Sequence, residues 1–376
     1  MIKLNTLKRT HCIVCNNKLS DVKTIKNFPI FMGTTNKPVE DDLLADMKFC
    51  VCENCGCVQL GELIPLDVLY SDSHSPGVVG KSWQEHHKKF SDFVLKYAKG
   101  NVVEIGGSNL ILANHLQKSQ KIKSISVYDT NIISEPANKK IILHNTFFNS
   151  SAIKNKPDAI IHSHVIEHLY DPFAEINEMC QLLDDNSHMI ISMPIIDSMM
   201  ISKFSNAMNF EHTYGLTVDL LKIIASRTKL KIIDIQEFNE YCCFVALVKD
   251  SNVTEELDYY FDNNYIYDYF NFYEKEIKRI NNELLKSSKN IFIFGGHIFT
   301  QFLLSAGLDN TKIINILDND ERKQNKRLYG TNFIVKSPKI LKNISEPVVV
   351  LKAGQYTEEI KSDILENINP RTKFIL

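Results

Sequence analysis

From residue 100 onward the chain alternates short apolar runs with stretches of helical period. Residues 101–105, 122–128 and 188–193 read as buried strands, 157–168 as a strand running into a loop and helix, and 110–117 and 217–227 as helices between or after them. Strand-then-helix alternation of this kind predicts an α/β fold with a doubly wound, mostly parallel sheet. A tyrosine-rich segment over 253–285 has the period of one or two amphipathic helices, including Tyr259, Tyr260, Tyr265, Tyr267, Tyr269 and Tyr273. A second unit then repeats the logic: a strand over 290–294, the turn Gly295-Gly296-His297, a helix to residue 306, and a strand over 312–317 ending in Asp318-Asn319-Asp320. Before residue 66 the pattern is different, short and cysteine-rich. The expected layout is therefore a small metal-stapled domain (1–66), a central α/β domain behind a helical entry (67–250), a helical linker (251–285) and a C-terminal Rossmann-like domain (286–376).

At 376 residues, several domains are the natural expectation. Hydrophobic residues make up 44% and charged residues 23%, too much apolar material for a disordered chain. Lys and Arg number 43 against 45 Asp and Glu, so no global field draws the chain to nucleic acid or to an anionic membrane. The Asp and Glu interleaved with the tyrosines of 253–285 also argue against a nucleic-acid stacking platform. No apolar run reaches the length of a membrane span, and the first residues lack a secretory hydrophobic core, so a cytoplasmic protein is expected.

Six of the nine cysteines fall in the first 57 residues, and in a reducing compartment such clustering points to metal rather than disulfides. Cys12-x-x-Cys15 and Cys52-x-x-Cys55 are two CxxC pairs with 36 residues between them. Four thiolates close a tetrahedral Zn²⁺ shell with no position left for substrate, so the metal is expected to be structural. Cys50 and Cys57 are rival ligands, since alternation along a strand-like 49–60 stretch would place Cys50 and Cys52 on one face.

Glu104-Ile105-Gly106-Gly107-Ser108-Asn109 ends the first central strand in a glycine turn where a ligand can approach the backbone. It is not GxGxxG, which disfavours a dinucleotide. Asp129 follows about 20 residues later, at the end of the next strand, where a carboxylate can accept both hydroxyls of a ribose. His164 stands at a strand's carboxyl end, whereas His168 is expected to pack or cap a helix. Glu211-His212, in a loop, is the best general-base candidate, because an imidazole titrates near the pH at which a proton must leave.

The Glu104–Gly107 turn, Asp129, and the run His164-Val165-Ile166-Glu167-His168-Leu169-Tyr170-Asp171-Pro172 resemble the class I S-adenosylmethionine-dependent methyltransferases. The resemblance implies that Glu104, Gly106, Gly107 and Ser108 lie under the methionine part of the cofactor, that Asp129 holds its ribose, and that His164 lies near the sulfonium. Joined to the two CxxC pairs, Gly56-x-Val58-Gln59-Leu60, Leu69-Tyr70 with Ser73, Ser75 and His86, and the C-terminal run from Gly295 through Lys323-Gln324 to Gly330-Thr331, the chain resembles the zinc-containing sugar-nucleotide C-methyltransferases over nearly its whole length. That family implies a nucleotide-linked keto-deoxysugar as small-molecule substrate, a structural zinc ion, His212 as base with Glu211 beside it, Tyr70 and His164 lining the site, and a monomer or homodimer without nucleic-acid or membrane partners. Where the family commonly has a tyrosine two residues before the glutamate, this chain has Asn209. The alternatives are an O- or N-methyltransferase of a sugar-like acceptor, or a non-catalytic zinc-binding scaffold.

Overall fold

The computed structural model describes residues 1–71, 81–252, 259–287 and 290–376. Ser73 and Ser75 lie outside the described residues. In the N-terminal lobe the strands Leu19–Pro29 and Leu43–Cys52 pair antiparallel, and Val58–Leu60 returns along the second of them. The 49–60 stretch is therefore a hairpin rather than one strand. Cys52 ends one arm, and the Gly56 N–H donates back to the Cys52 carbonyl at 2.7 Å, so the second CxxC pair sits in the turn.

The central domain carries a seven-stranded sheet in the spatial order Ile141–Asn145, Ile122–Asp129, Gly100–Ile105, Ala159–Ser163, His188–Pro194, Cys242–Lys249, Leu230–Asn239. All neighbours are parallel except Cys242–Lys249, which runs against both of its neighbours. The middle strands are apolar on both faces, with Ile160, Ile161, Ile190 and Ile191 wholly buried, as a sheet covered on two sides requires. The edge strand Leu230–Asn239 instead alternates between covered and exposed positions. Helix starts follow the side chains: Thr217 accepts from the Leu220 N–H ahead of Val218–Arg227, and Asp171 accepts from the Ala174 N–H ahead of Pro172–Gln181. Asp171, not His168, is thus the cap. The winding direction reverses between Gly100–Ile105 and Ala159–Ser163, which opens a crevice at their carboxyl ends.

The tyrosine-rich segment forms one helix among the described residues, Asn264–Lys286, burying Tyr265, Tyr269 and Tyr273 while Tyr260 and Tyr267 remain exposed. Five parallel strands then form the C-terminal sheet, in the order Val335–Lys336, Ile313–Leu317, Ile291–Phe294, Val348–Leu351, Lys373–Ile375. Its glycine turn is occupied by its own chain: the Gly296 N–H donates to Asp318 at 2.8 Å, and Lys323 pairs with the same carboxylate oxygen at 3.0 Å.

This lobe is fastened to the N-terminal one. Arg327 makes a two-pronged pair with the fully buried Asp42, at 2.6 and 2.8 Å, and the Gly330 N–H adds a third bond to that carboxylate at 2.7 Å. Gln301, also buried, donates to the carbonyls of Phe31 and Tyr329 and accepts from the Gly33 N–H. No helix among the described residues is long and apolar enough to cross a membrane.

Candidate active site

The cysteines are brought together across the lobe. Cys12, Cys15, Cys52 and Cys55 present four sulfurs within 4.8 Å of one another, with Cys12 to Cys55 at 3.6 Å and Cys15 to Cys52 at 3.3 Å. A tetrahedral ion with Zn–S bonds near 2.3 Å sets neighbouring sulfurs about 3.8 Å apart, so the four-sulfur set fits zinc. N–H groups also converge on the sulfurs: Gln59 Nε2 reaches Cys12 at 3.0 Å, the Val14 amide reaches it at 3.3 Å, and Asn17 Nδ2 reaches Cys15 at 3.4 Å. Such donors stabilise thiolates and orient them toward an ion. Cys50 turns away to donate to Asp21 at 3.7 Å, and Cys57 points to the Val58 carbonyl, so neither belongs to the four.

At the switch point, Gly106 has φ +81°, and a Cβ there would meet Val165 Cγ2 at 2.5 Å. At Gly107 a Cβ would meet Val127 Cγ1 at 2.5 Å and Glu104 Oε1 at 2.9 Å. Only glycines let the backbone run this close to the crevice floor. Glu104 itself is buried, its Oε2 lacks any hydrogen-bond partner, and burial together with the nearby Asp129 charge pushes its carboxyl up to about 8. A buried carboxyl oxygen left unmatched beside a bare glycine turn fits a ligand that brings a cation, as the ammonium of S-adenosylmethionine does. Asp129 closes the next strand, its Oδ1 accepting from the Asn131 N–H at 2.7 Å. Ser108 donates its hydroxyl to the Asn131 carbonyl at 2.5 Å, tying the glycine turn to the loop after Asp129.

His164 occupies the left-handed region, φ +55°, with its N–H on the Ser192 carbonyl at 2.9 Å. Its Nδ1 lies 3.2 Å from Glu167 and its Nε2 lies 3.9 Å from Cys242 Sγ, while Trp83 and His86 pack against the ring. Burial opposes a charge here, but the bonds to Cys242 and Glu167 prevail and push the imidazole up to about 10. Glu167 is wholly buried; burial works against its charge, yet His164, His168 and His212 hold the carboxyl down at about 2.

His212 sits beyond this carboxylate, with its ring centroid 5.8 Å from that of His168. Its Nδ1 lies between an acceptor, the Ala207 carbonyl at 3.2 Å, and a donor, the Asn209 Nδ2 amide at 3.3 Å; with the proton on Nδ1 it donates to Ala207 and Nε2 carries the lone pair. Burial, then the His168 charge, holds the ring down at about 4, a neutral imidazole at pH 7. Asn209 shapes the loop, its Oδ1 accepting from the N–H groups of Glu211 and His212 at 2.9 and 3.0 Å. Tyr70 is brought to the same place. Burial and then the Glu211 charge, with Tyr170, Glu167 and Asp129 beyond it, drive its phenol far above the usual tyrosine range.

The loop after His212 is strapped on both sides. The Thr213 N–H donates to the Glu167 carbonyl at 3.1 Å, while the Leu60 N–H donates to the Thr213 carbonyl at 3.0 Å and Gly215 N–H to the Val58 carbonyl at 2.9 Å. Arg9 adds bonds to the carbonyls of Thr213 and Tyr170, at 2.8 and 2.7 Å. The strand beyond the second CxxC pair is thereby continuous, in hydrogen bonds, with the Glu211-His212 loop.

Residues 82–241 match the protein family described as "Methyltransferase domain". The chain carries a methyltransferase domain. It is an enzyme of the S-adenosylmethionine-dependent type, and the family match together with the glycine turn and the unmatched Glu104 carries that assignment. Among solved structures, the methyltransferase is similar in fold to the N-methyltransferase NodS from Bradyrhizobium japonicum (14% identity, 45% of this chain and 97% of that one, TM-score 0.34). It is also similar to an S-adenosylmethionine-dependent methyltransferase from Clostridium acetobutylicum (14%, 44% and 92%, 0.36) and to magnesium protoporphyrin IX methyltransferase from Synechocystis with bound SAH (14%, 48% and 91%, 0.37). No curated protein matches the sequence.

Glu104 with its glycine turn and Asp129 thus stand at the ends of adjacent strands, Tyr70 feels the charges of Glu211, Glu167 and Asp129, and Glu167 is shared by His164, His168 and His212. Glu167 is the member that sequence reasoning left out. Its signal was present in His164-Val165-Ile166-Glu167-His168, where one turn of helix over Ile166–His168 lets a single carboxylate face two histidines.

Proposed function

We propose that this methyltransferase transfers a methyl group to a carbon of a nucleotide-linked keto-deoxysugar, through an enolate that His212 generates. What carries the reading is His212 itself: a half-buried imidazole, neutral at pH 7, whose Nδ1 faces the Ala207 carbonyl at 3.2 Å, so that the Nδ1–H form leaves Nε2 to take a proton. S-adenosylmethionine, cradled by Glu104, Gly106, Gly107 and Asp129, supplies an electrophilic methyl group. His212 Nε2 would take the proton from the carbon beside the ketone, and the electron pair left behind would form the new carbon–carbon bond to the methyl group as its bond to the sulfonium sulfur breaks and S-adenosylhomocysteine leaves. Tyr70, whose phenol stays protonated, donates toward the oxygen on which charge develops. Glu211 and Asn209 fix the loop and its polarity. Cys12, Cys15, Cys52 and Cys55 hold a closed-shell zinc ion that supports the lobe and takes no part in the chemistry.

The test is to incubate the enzyme with S-adenosylmethionine and nucleotide-linked keto-, amino- and hydroxy-sugars, following S-adenosylhomocysteine release and product mass. In D₂O, protons next to the ketone should exchange with wild type and not with His212→Ala. Product formation without exchange would place the methyl on oxygen or nitrogen and refute the enolate.

A further inference from the structure

Glu167, His168 and His212 each offer one metal-ligating atom within 4.8 Å of the other two. These residues are separate from the four cysteines, and one carboxylate with two imidazoles is a donor set for Zn²⁺, Co²⁺ or Ni²⁺. Three further observations point to a cation. Glu167 has no solvent exposure, and the ion pair from His164 Nδ1 at 3.2 Å engages its Oε1 while Oε2 lacks a hydrogen-bond partner. His212 Nδ1 lies 3.2 Å from the Ala207 carbonyl, so in its Nδ1–H form that outer bond leaves Nε2 as the ligating atom. His168 Nε2 lies 3.8 Å from Glu167 Oε1. Ligand atoms around an ion with bonds near 2.1 Å stand about 3.4 Å apart, so the His168–Glu167 separation must shorten by a few tenths of an ångström. The partly exposed ring of His168, on its short turn, has the freedom to make that movement.

We propose that Glu167, His168 and His212 form a second divalent-metal site, and that filling it withdraws His212 from proton transfer. The inhibitory half rests on His212 being the base. The lone pair on Nε2 serves either a proton or an ion, so a transition metal competes with catalysis at the same atom. Three protein ligands leave positions to which water or a substrate oxygen can bind. Added Zn²⁺ therefore inhibits turnover while the four-cysteine ion stays in place.

The experiment uses full-length protein in which ¹¹³Cd²⁺ fills the four-cysteine cluster, titrated with further ¹¹³Cd²⁺ and observed by NMR. A second resonance, in the range of nitrogen and oxygen ligands, is expected in wild type and lost in His168→Ala, with the four-sulfur resonance unchanged as proof of a folded lobe. In parallel, inhibition of methyl transfer by Zn²⁺ should weaken at least tenfold in His168→Ala. Absence of a second resonance in wild type, or its persistence in His168→Ala, overturns the site. Stimulation by added metal overturns the inhibitory role, and a second resonance without inhibition overturns His212 as the base while leaving the site standing.

Discussion

Replacing Glu104 by Gln tests the cofactor crevice through proton linkage. In the free enzyme the carboxyl is held at about 8 against an ordinary 4.5, because burial and the Asp129 charge both disfavour its ionised form. At about 1.4 kcal/mol per pH unit, ionising it in place costs about 5 kcal/mol more than in the unfolded chain. The sign follows directly. Between pH 4.5 and about 8 the folded state keeps a proton that the unfolded state has released, so the free enzyme loses stability as pH rises through that window and levels off above it. If the ammonium of S-adenosylmethionine sits against this carboxyl, binding holds it ionised and expels the proton. Affinity should then rise up to about tenfold per pH unit between pH 5.5 and 7.5, below the range where the cofactor's own amino group titrates. Isothermal titration of S-adenosylmethionine across that range reads the slope, and thermal unfolding of the free enzyme reads the stability. Glu104→Gln keeps the shape without the charge, so both slopes should flatten, with weaker binding at pH 7.5. An equal affinity slope in the variant would refute a Glu104 contact with the cofactor, and an unchanged stability slope would refute the buried, proton-binding carboxyl.

Asp42→Ala strands Arg327 and the Gly330 N–H without their partner, and removing one member of a buried pair typically costs about 3–5 kcal/mol. The C-terminal lobe should become susceptible to limited proteolysis at a lower temperature, with Asp42→Asn milder. Stripping zinc with a strong chelator should expose four additional reactive thiols and abolish the Leu60–Thr213 and Val58–Gly215 bonds, read as faster hydrogen exchange in the 209–216 loop. Metal content should stay at one ion per chain in Cys50→Ser, and fall in Cys52→Ser.

The parts of this fold that follow local rules were readable from the chain. Apolar runs and helical periods gave four of the seven central strands but not Ile141–Asn145, Leu230–Asn239 or Cys242–Lys249, the glycine turn fell where Gly106 needs a positive φ, and the paired CxxC spacing named the four cysteines that the fold gathers, Cys50 and Cys57 lying outside that cluster. The 49–60 stretch misled because alternation persists across a tight hairpin, and periodicity does not record where the chain reverses. Contacts between loops leave still less trace. Asp42 and Arg327 are 285 positions apart, and nothing near either announces the other. Glu167 reads locally as part of a turn; only closure of the 209–216 loop upon it makes it the carboxylate shared by His164, His168 and His212.

That closure gives the N-terminal lobe a reason to be part of the enzyme. His212 lies on a loop, and a loop alone does not hold a base within the few tenths of an ångström that proton transfer demands. Three backbone bonds supply the rigidity, one from Glu167 in the methyltransferase domain and two from the Val58–Leu60 strand. Gln59 lies in the middle of that strand, and it both donates to the Cys12 sulfur and accepts from the Ile13 N–H. On the proposed assignments of zinc to the four cysteines and of the base to His212, the ion would stabilise this lobe and, through Gln59 and its strand, hold the His212 loop in place for proton transfer.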